Sequence, residues 1–120
     1  MKFKTTNPAT EQARAEYDII DKAAVDEKVA RAHRAFESWK ETDISERARL
    51  VKKLGKMLMK KKKQLAEAIT EEMGKPIKQS LSEVEKCASI CEYFSHNAWI
   101  FLKDEHVKSV FAICYVSFLP

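Results

Sequence analysis

Ile69-Thr70-Glu71-Glu72-Met73-Gly74-Lys75-Pro76-Ile77 is a helix stop followed at once by a helix start. Gly74 has no Cβ, so it suits the left-handed backbone just past a helix end. Pro76 suits the first turn of the next helix, where its missing N–H leaves no bond unmade. Two helices must therefore meet here at a tight turn.

Working backward from that turn, Leu50, Leu54, Met57, Leu58, Leu65, Ile69 and Met73 recur at helical spacing. They predict one helix from about 43 to 73, roughly 45 Å long at 1.5 Å per residue. Asp43 with Glu46 three residues on resembles a capping box at its start. Further back, Val25, Val29, Ala32, Phe36 and Trp39 alternate steps of four and three, which predicts a helix over about 22–40 capped by Asp21. Working forward, Ile77, Leu81, Val84, Ala88, Cys91, Phe94, Ala98 and Phe101 or Leu102 predict a helix over about 76–102. The termini read differently. Residues 1–12 are an extended entry with a turn at Asn7-Pro8, and Ala13, Ala15, Tyr17 and Ile19 alternate as in a half-buried strand over about 13–20. After the polar link Lys103–His106, residues 108–118 read as a strand apolar on both faces, which expects cover on both sides. The fold class is mainly α with short flanking β-strands, in a single partial domain over 1–120.

The composition excludes several functions. Apolar residues make up 45% and charged residues 33%, which favours a folded chain over a disordered one. Only Gly55 and Gly74 are glycine, so no glycine-rich phosphate cradle can form. The net charge of +4 permits weak attraction to polyanions without requiring it. No secretory signal follows Met1, and the uncharged run Ser109–Pro120 is too short to span a bilayer. Three cysteines without scaffold density then suit a reducing cytoplasm.

The reactive side chains do not assemble by spacing. Cys87 and Cys91 are one helical turn apart, but His96 and Glu92 complete no metal pattern with them, and the expectation is two small apolar residues in a helix seam. Cys114 lies in an apolar strand that would raise its pKa rather than activate it. His33, His96 and His106 share no spacing. The lysines Lys52, Lys53, Lys56, Lys60, Lys61, Lys62 and Lys63 spread around a helix instead of forming a stripe. No aromatic interleaves with them, so nucleic acid is not the expected partner. The neighbours Glu71 and Glu72 point about 100° apart on a helix and make no acid–base pair, and Glu83 and Glu85 fail similarly. Trp39 and Trp99 are expected to anchor helix seams. Catalytic, cofactor-binding and metal-binding residues are all expected to be none.

Several short segments resemble, in order, the N-terminal region of the aldehyde dehydrogenase superfamily. They are Asn7-Pro8-Ala9-Thr10, Ala35-Phe36-Glu37-Ser38-Trp39, Ser45-Glu46-Arg47-Ala48 and the turn at Gly74. Glu83-Val84-Glu85-Lys86-Cys87-Ala88 and Tyr115-Val116-Ser117-Phe118 resemble the succinate-semialdehyde branch. The resemblance implies the N-terminal helical portion of that α/β fold. It implies a parent activity in which a cysteine thiolate attacks an aldehyde and hydride passes to NAD or NADP. The family's catalytic cysteine follows a Gly-Gln-type dipeptide, and no cysteine here has Gly or Gln beside it. The family's cofactor segment, its Rossmann-like core and its glutamate find no match within these residues. The expectation is therefore a truncated or decaying gene, a split gene or an incomplete sequence, with a product inactive alone. Its expected partner is the remainder of a dehydrogenase subunit, or a second copy through self-association of Val107–Phe118. The alternative is a free-standing helical interaction module that docks on a full-length relative.

Overall fold

Gly74 takes the left-handed backbone its position demands, with φ +69°, and its N–H donates to the Thr70 carbonyl at 2.9 Å. Pro76 is extended, and its carbonyl accepts from the N–H groups of Gln79 and Ser80. It thus stands one residue before the helix rather than inside its first turn. The computed structural model describes residues 1–110 and 113–119. In chain order the elements are β1 (Lys2–Thr6), β2 (Ala13–Asp18), α1 (Lys22–Trp39), α2 (Ile44–Lys60), α3 (Lys62–Met73), α4 (Ile77–Phe101), β3 (Glu105–Val107) and β4 (Cys114–Val116). The architecture is mainly helical with short strands, as the periodicities predict.

After the turn α4 runs back antiparallel along α3 and then α2. The cross-links Thr70 to Ser80, Lys62 to Glu85 and Lys52 to His96 step in opposite directions along the two partners. Small residues set the closeness of this packing. Gly55 is buried in α2, and a Cβ there would lie 3.0 Å from Cys91 Cβ and 3.2 Å from the Ala88 carbonyl oxygen. Ala66, Val84, Ala88 and Ser80 complete the buried set among the described side chains. The buried Ser80 hydroxyl is satisfied by Thr70 Oγ1 at 3.0 Å, so it adds no unpaired polar group to the seam.

The helix expected over 43–73 is two helices. Lys61 leaves helical geometry at φ −100°, ψ 12°. Lys60 to Lys63 place four cations in about one turn, and like charges at that spacing oppose one another. Opening the backbone lets Lys62 reach Glu85 at 2.6 Å while Lys63 turns toward Glu67. The strand expected over 13–20 ends at Asp18, and it pairs antiparallel with β1, with Phe3 stacked on Tyr17 at 5.1 Å. Residues 1–12, expected only as an extended entry, supply that partner strand. Its lysines and threonines hide any apolar alternation. The strand expected over 108–118 is a hairpin instead, in which Glu105, His106 and Val107 face Val116, Tyr115 and Cys114. A strand with unpaired backbone takes the nearest partner, and the polar link provides one. Residues 111 and 112 of that expected strand lie outside the described residues, as does Pro120.

The β1–β2 hairpin is fastened to the helical turn. Arg14 forms ion pairs with both Glu71, at 2.7 Å, and Glu72. A Cβ on Gly74 would come within 2.9 Å of Pro8 Cγ. By contrast α1 contributes no buried residue, although Val25, Val29, Phe36 and Trp39 form its apolar stripe. The molecule is long, 68 × 40 × 23 Å, with a radius of gyration of 20.8 Å. A compact domain of this length would have about 13.6 Å.

Two substitutions test the hinge and the seam. Gly74→Ala puts a side chain at positive φ against Pro8 and is expected to lower stability by about 1–2 kcal/mol in urea unfolding. Gly55→Leu must push α2 from α4 and is expected to cost about 1–3 kcal/mol or more by the same assay.

Candidate functional site

The reactive side chains are dispersed over the fold. Cys87 and Cys91 lie on α4 and Cys114 on β4, all three as free thiols. Cys91 is half-buried under Gly55, as a seam residue should be, but Cys87 is exposed, because the seam follows Val84, Ala88 and Cys91 and leaves Cys87 to one side. Among the described residues no group of three or more His, Cys, Asp or Glu side chains could hold a metal ion.

The histidines serve local roles. His33 faces Glu37 on exposed α1 at 3.8 Å and stacks near Phe36. His106 tilts against Tyr115 in the C-terminal hairpin. His96 Nε2 lies 3.1 Å from Lys52 Nζ and its Nδ1 lies 2.8 Å from the Glu92 carbonyl oxygen. An ammonium can only donate, so Nε2 accepts and Nδ1–H donates to the carbonyl. Lys52 also pairs with the Glu92 carboxylate at 3.5 Å. This three-residue lock across α2 and α4 has no signature in sequence spacing, because its members come from two helices.

The carboxylates are absorbed by ion pairs. Glu71 and Glu72 share Arg14, Glu83 pairs with Lys75, and Glu85 pairs with Lys62. At the start of α2, Asp43 accepts from the Ser45 N–H at 2.7 Å. Those bonds to Ser45, with the Arg47 charge nearby, hold its carboxyl below the usual carboxylate range. Glu46 does not complete a reciprocal cap. It pairs with Arg49 at 2.6 and 2.8 Å, and that pairing lowers its pKa in turn.

The chain's distinctive surface is apolar instead. An open groove of about 440 Å³ runs between the two arms of the helical hairpin, lined by Leu58, Leu65, Ile69, Met73, Val84 and Cys87. The distal half of α4 is apolar around much of its circumference, with Tyr93, Phe94, Trp99, Ile100 and Phe101 all substantially exposed. Trp39 and Trp99, expected to anchor seams, are 45% and 60% exposed, and Trp99 lines an open cleft with Ile44 and Ala48 of α2. No helix among the described residues is long and apolar enough to cross a membrane.

Comparison with known proteins gives this surface a context. The model of the aldehyde dehydrogenase family matches residues 1–116. The NAD(P)+ succinate semialdehyde dehydrogenase Sad of Escherichia coli K12 is 33% identical over 99 residues, covering 82% of this chain and 21% of that protein. The NADP+ succinate-semialdehyde dehydrogenase 1 of Mycobacterium tuberculosis H37Rv is 34% identical over 105 residues, covering 88% of this chain and 23% of that protein. The crystal structure of succinic semialdehyde dehydrogenase from Streptococcus pyogenes in complex with NADP+ superposes with a TM-score of 0.88 at 24% identity, over 94% of this chain and 25% of that one. The chain thus spans about a quarter of the length of these relatives.

The Asp43 cap carries a pH signature. A carboxylate whose folded pKa is lowered stabilises the fold above its unfolded pKa, about 4, and loses that contribution as pH falls through the folded value. Unfolding measured from pH 7 to pH 3 is expected to show a falling acid limb, and Asp43→Asn is expected to flatten it.

Proposed function

This chain belongs to the aldehyde dehydrogenase family, and from that premise we propose that it supplies the N-terminal helical segment of a cytoplasmic, NAD(P)-dependent aldehyde dehydrogenase acting on succinate semialdehyde or a closely similar aldehyde. The substrate class is supported by the names of the relatives from Escherichia coli and Mycobacterium tuberculosis. One observation carries the role assigned to the segment. Its backbone follows the Streptococcus pyogenes enzyme over nearly its whole length, yet each thiol, imidazole and carboxylate named above either lies apart from the others or is held in an ion pair.

The segment's contribution is therefore shape. A thiolate nucleophile needs a base or a helix N-terminus beside it, and Cys87 and Cys91 lie well inside α4 while Cys114 lies on β4, away from any helix start among the described residues. Hydride transfer needs a nicotinamide held over the reacting carbon, and the two glycines are committed to a helix seam and a helix turn. In this reading the half-exposed apolar faces of α1 and α4 are covered by the rest of a dehydrogenase subunit.

Turnover is the test. Purified chain mixed with succinate semialdehyde and NAD+ or NADP+ is expected to give no rise in absorbance from reduced cofactor. Measurable reduction that scales with the amount of chain would overturn the assignment.

A further inference from the structure

We propose that the cleft between the start of α2, the end of α4 and the chain after β4 binds a small organic anion, one with an oxyanion head on a single-ring apolar body. This goes beyond the functional reading above and does not rest on it. The cleft measures about 250 Å³ and is lined by Ile44 and Arg47 from α2, by Trp99 from α4, and by Leu102, Lys103 and Phe118. Small-molecule sites usually measure about 300–1,000 Å³, so this one is limited to a small occupant. Its walls have the composition of such a site, apolar and aromatic surface with a few polar groups set into it.

The charged groups there, Arg47 and Lys103, are both cations, and no carboxylate lines the cleft. Arg47 is half-buried, and its Nε–H is shut off from solvent with no acceptor. A buried donor left unmatched in this way calls for a partner that the protein itself does not supply. The carboxylate whose charge couples to Arg47 is Asp43, and it already accepts from the Ser45 N–H as a helix cap. Among the described residues neither Arg47 nor Lys103 has an ion pair. Two like charges facing one small apolar cleft oppose each other, and an oxyanion relieves that opposition while accepting their hydrogen bonds. The arginine fork suits a carboxylate or a phosphate, because it can donate two parallel N–H bonds to either.

The apolar body of the ligand has its own walls. Ser117 Oγ donates to the Asp104 carboxylate, which ties the chain after β4 back to the link after α4 and brings Phe118 to the cleft. The same bond engages Asp104 with Ser117 rather than with its neighbour Lys103. Trp99 and Phe118 are 60% and 45% exposed, so both rings have surface left to cover. An aromatic ring packs well against such surface, while its charged substituent meets the cations beside it.

Phenylacetate and phenyl phosphate are titrated to about 10 mM into the full 120-residue chain, with the indole N–H resonances of Trp99 and Trp39 followed by nuclear magnetic resonance. Trp39→Phe assigns the two resonances. Trp39, on the exposed stripe of α1, reports unspecific adsorption to apolar surface. The expected result is a saturable shift of the Trp99 resonance with at least one of the two anions, while Trp39 stays in place. Benzyl alcohol has the ring without the charge, and acetate has the charge without the ring. Each is expected to bind about tenfold more weakly or worse. Arg47→Gln and Lys103→Gln are each expected to raise the dissociation constant about fivefold or more with helical circular dichroism unchanged. Should Arg47→Gln disturb the fold, Lys103→Gln, at an exposed position beyond α4, decides by itself. No saturable shift at Trp99, or benzyl alcohol binding as well as the anions, would overturn the proposal. So would binding that Lys103→Gln leaves unaltered, which would move the ligand to the neighbouring cleft beside Ala48.

Discussion

The backbones of α2 and α4 meet where Gly55 faces Ala88 and Cys91, and the rest of the fold takes its register from that contact. With no Cβ on Gly55, the helices come close enough that a methyl group there would sit 3.0 Å from Cys91 Cβ. Close approach lets short side chains fill the seam, so Ser80, Val84 and Ala88 are buried although none is large. It also sets the distances of the polar ties on either side. Lys52 reaches His96 and Glu92 above the contact, and Lys62 reaches Glu85 below it. These ties are exposed, and each adds little by itself. Their effect is to oppose sliding of one helix along the other.

The turn at Gly74 is the second fixed point, and it joins two parts of the chain distant in sequence. Arg14 comes from β2 and binds carboxylates in the last turn of α3, while Pro8 fills the space beside Gly74. Carboxylates at a helix C-terminus are unfavourably placed relative to the helix dipole. The guanidinium compensates for that and fastens the small N-terminal sheet to the helices in the same interaction. A fold anchored at these two points leaves much of its apolar surface uncovered, from the stripe on α1 to the aromatic residues at the end of α4. That pattern suits a segment whose relatives are four times its length. An amphipathic helix needs another element to cover its stripe, and four helices arranged in an elongated body cannot all cover one another.

Much of this was legible residue by residue. The left-handed Gly74, the caps at Asp21 and Asp43, and the faces of α1 and α4 follow from local chemistry acting within one or two turns. Family membership was legible too, since short ordered segments survive where overall identity is low. The break at Lys61 was not, because the helical period continues across it and the lysine repulsion there is joined by the pull of Glu85 on another helix. Strand β1 was hidden because its partner, not its own alternation, makes it a strand. The exposure of Cys87 was hidden because Cys87 and Cys91, one turn apart, sit on opposite sides of a seam edge that only packing defines.

The sequence by itself determined most of the helix bounds, their caps and the sharp return at Gly74. These depend on backbone sterics and on periodicity, which act over a few residues. The tertiary structure alone decided that no residue of α1 is buried, which lysine finds a carboxylate on another helix, and that a groove stays open between α3 and α4. Those outcomes depend on distances between residues far apart in the chain, and such distances exist only once Gly55 has let two helices touch.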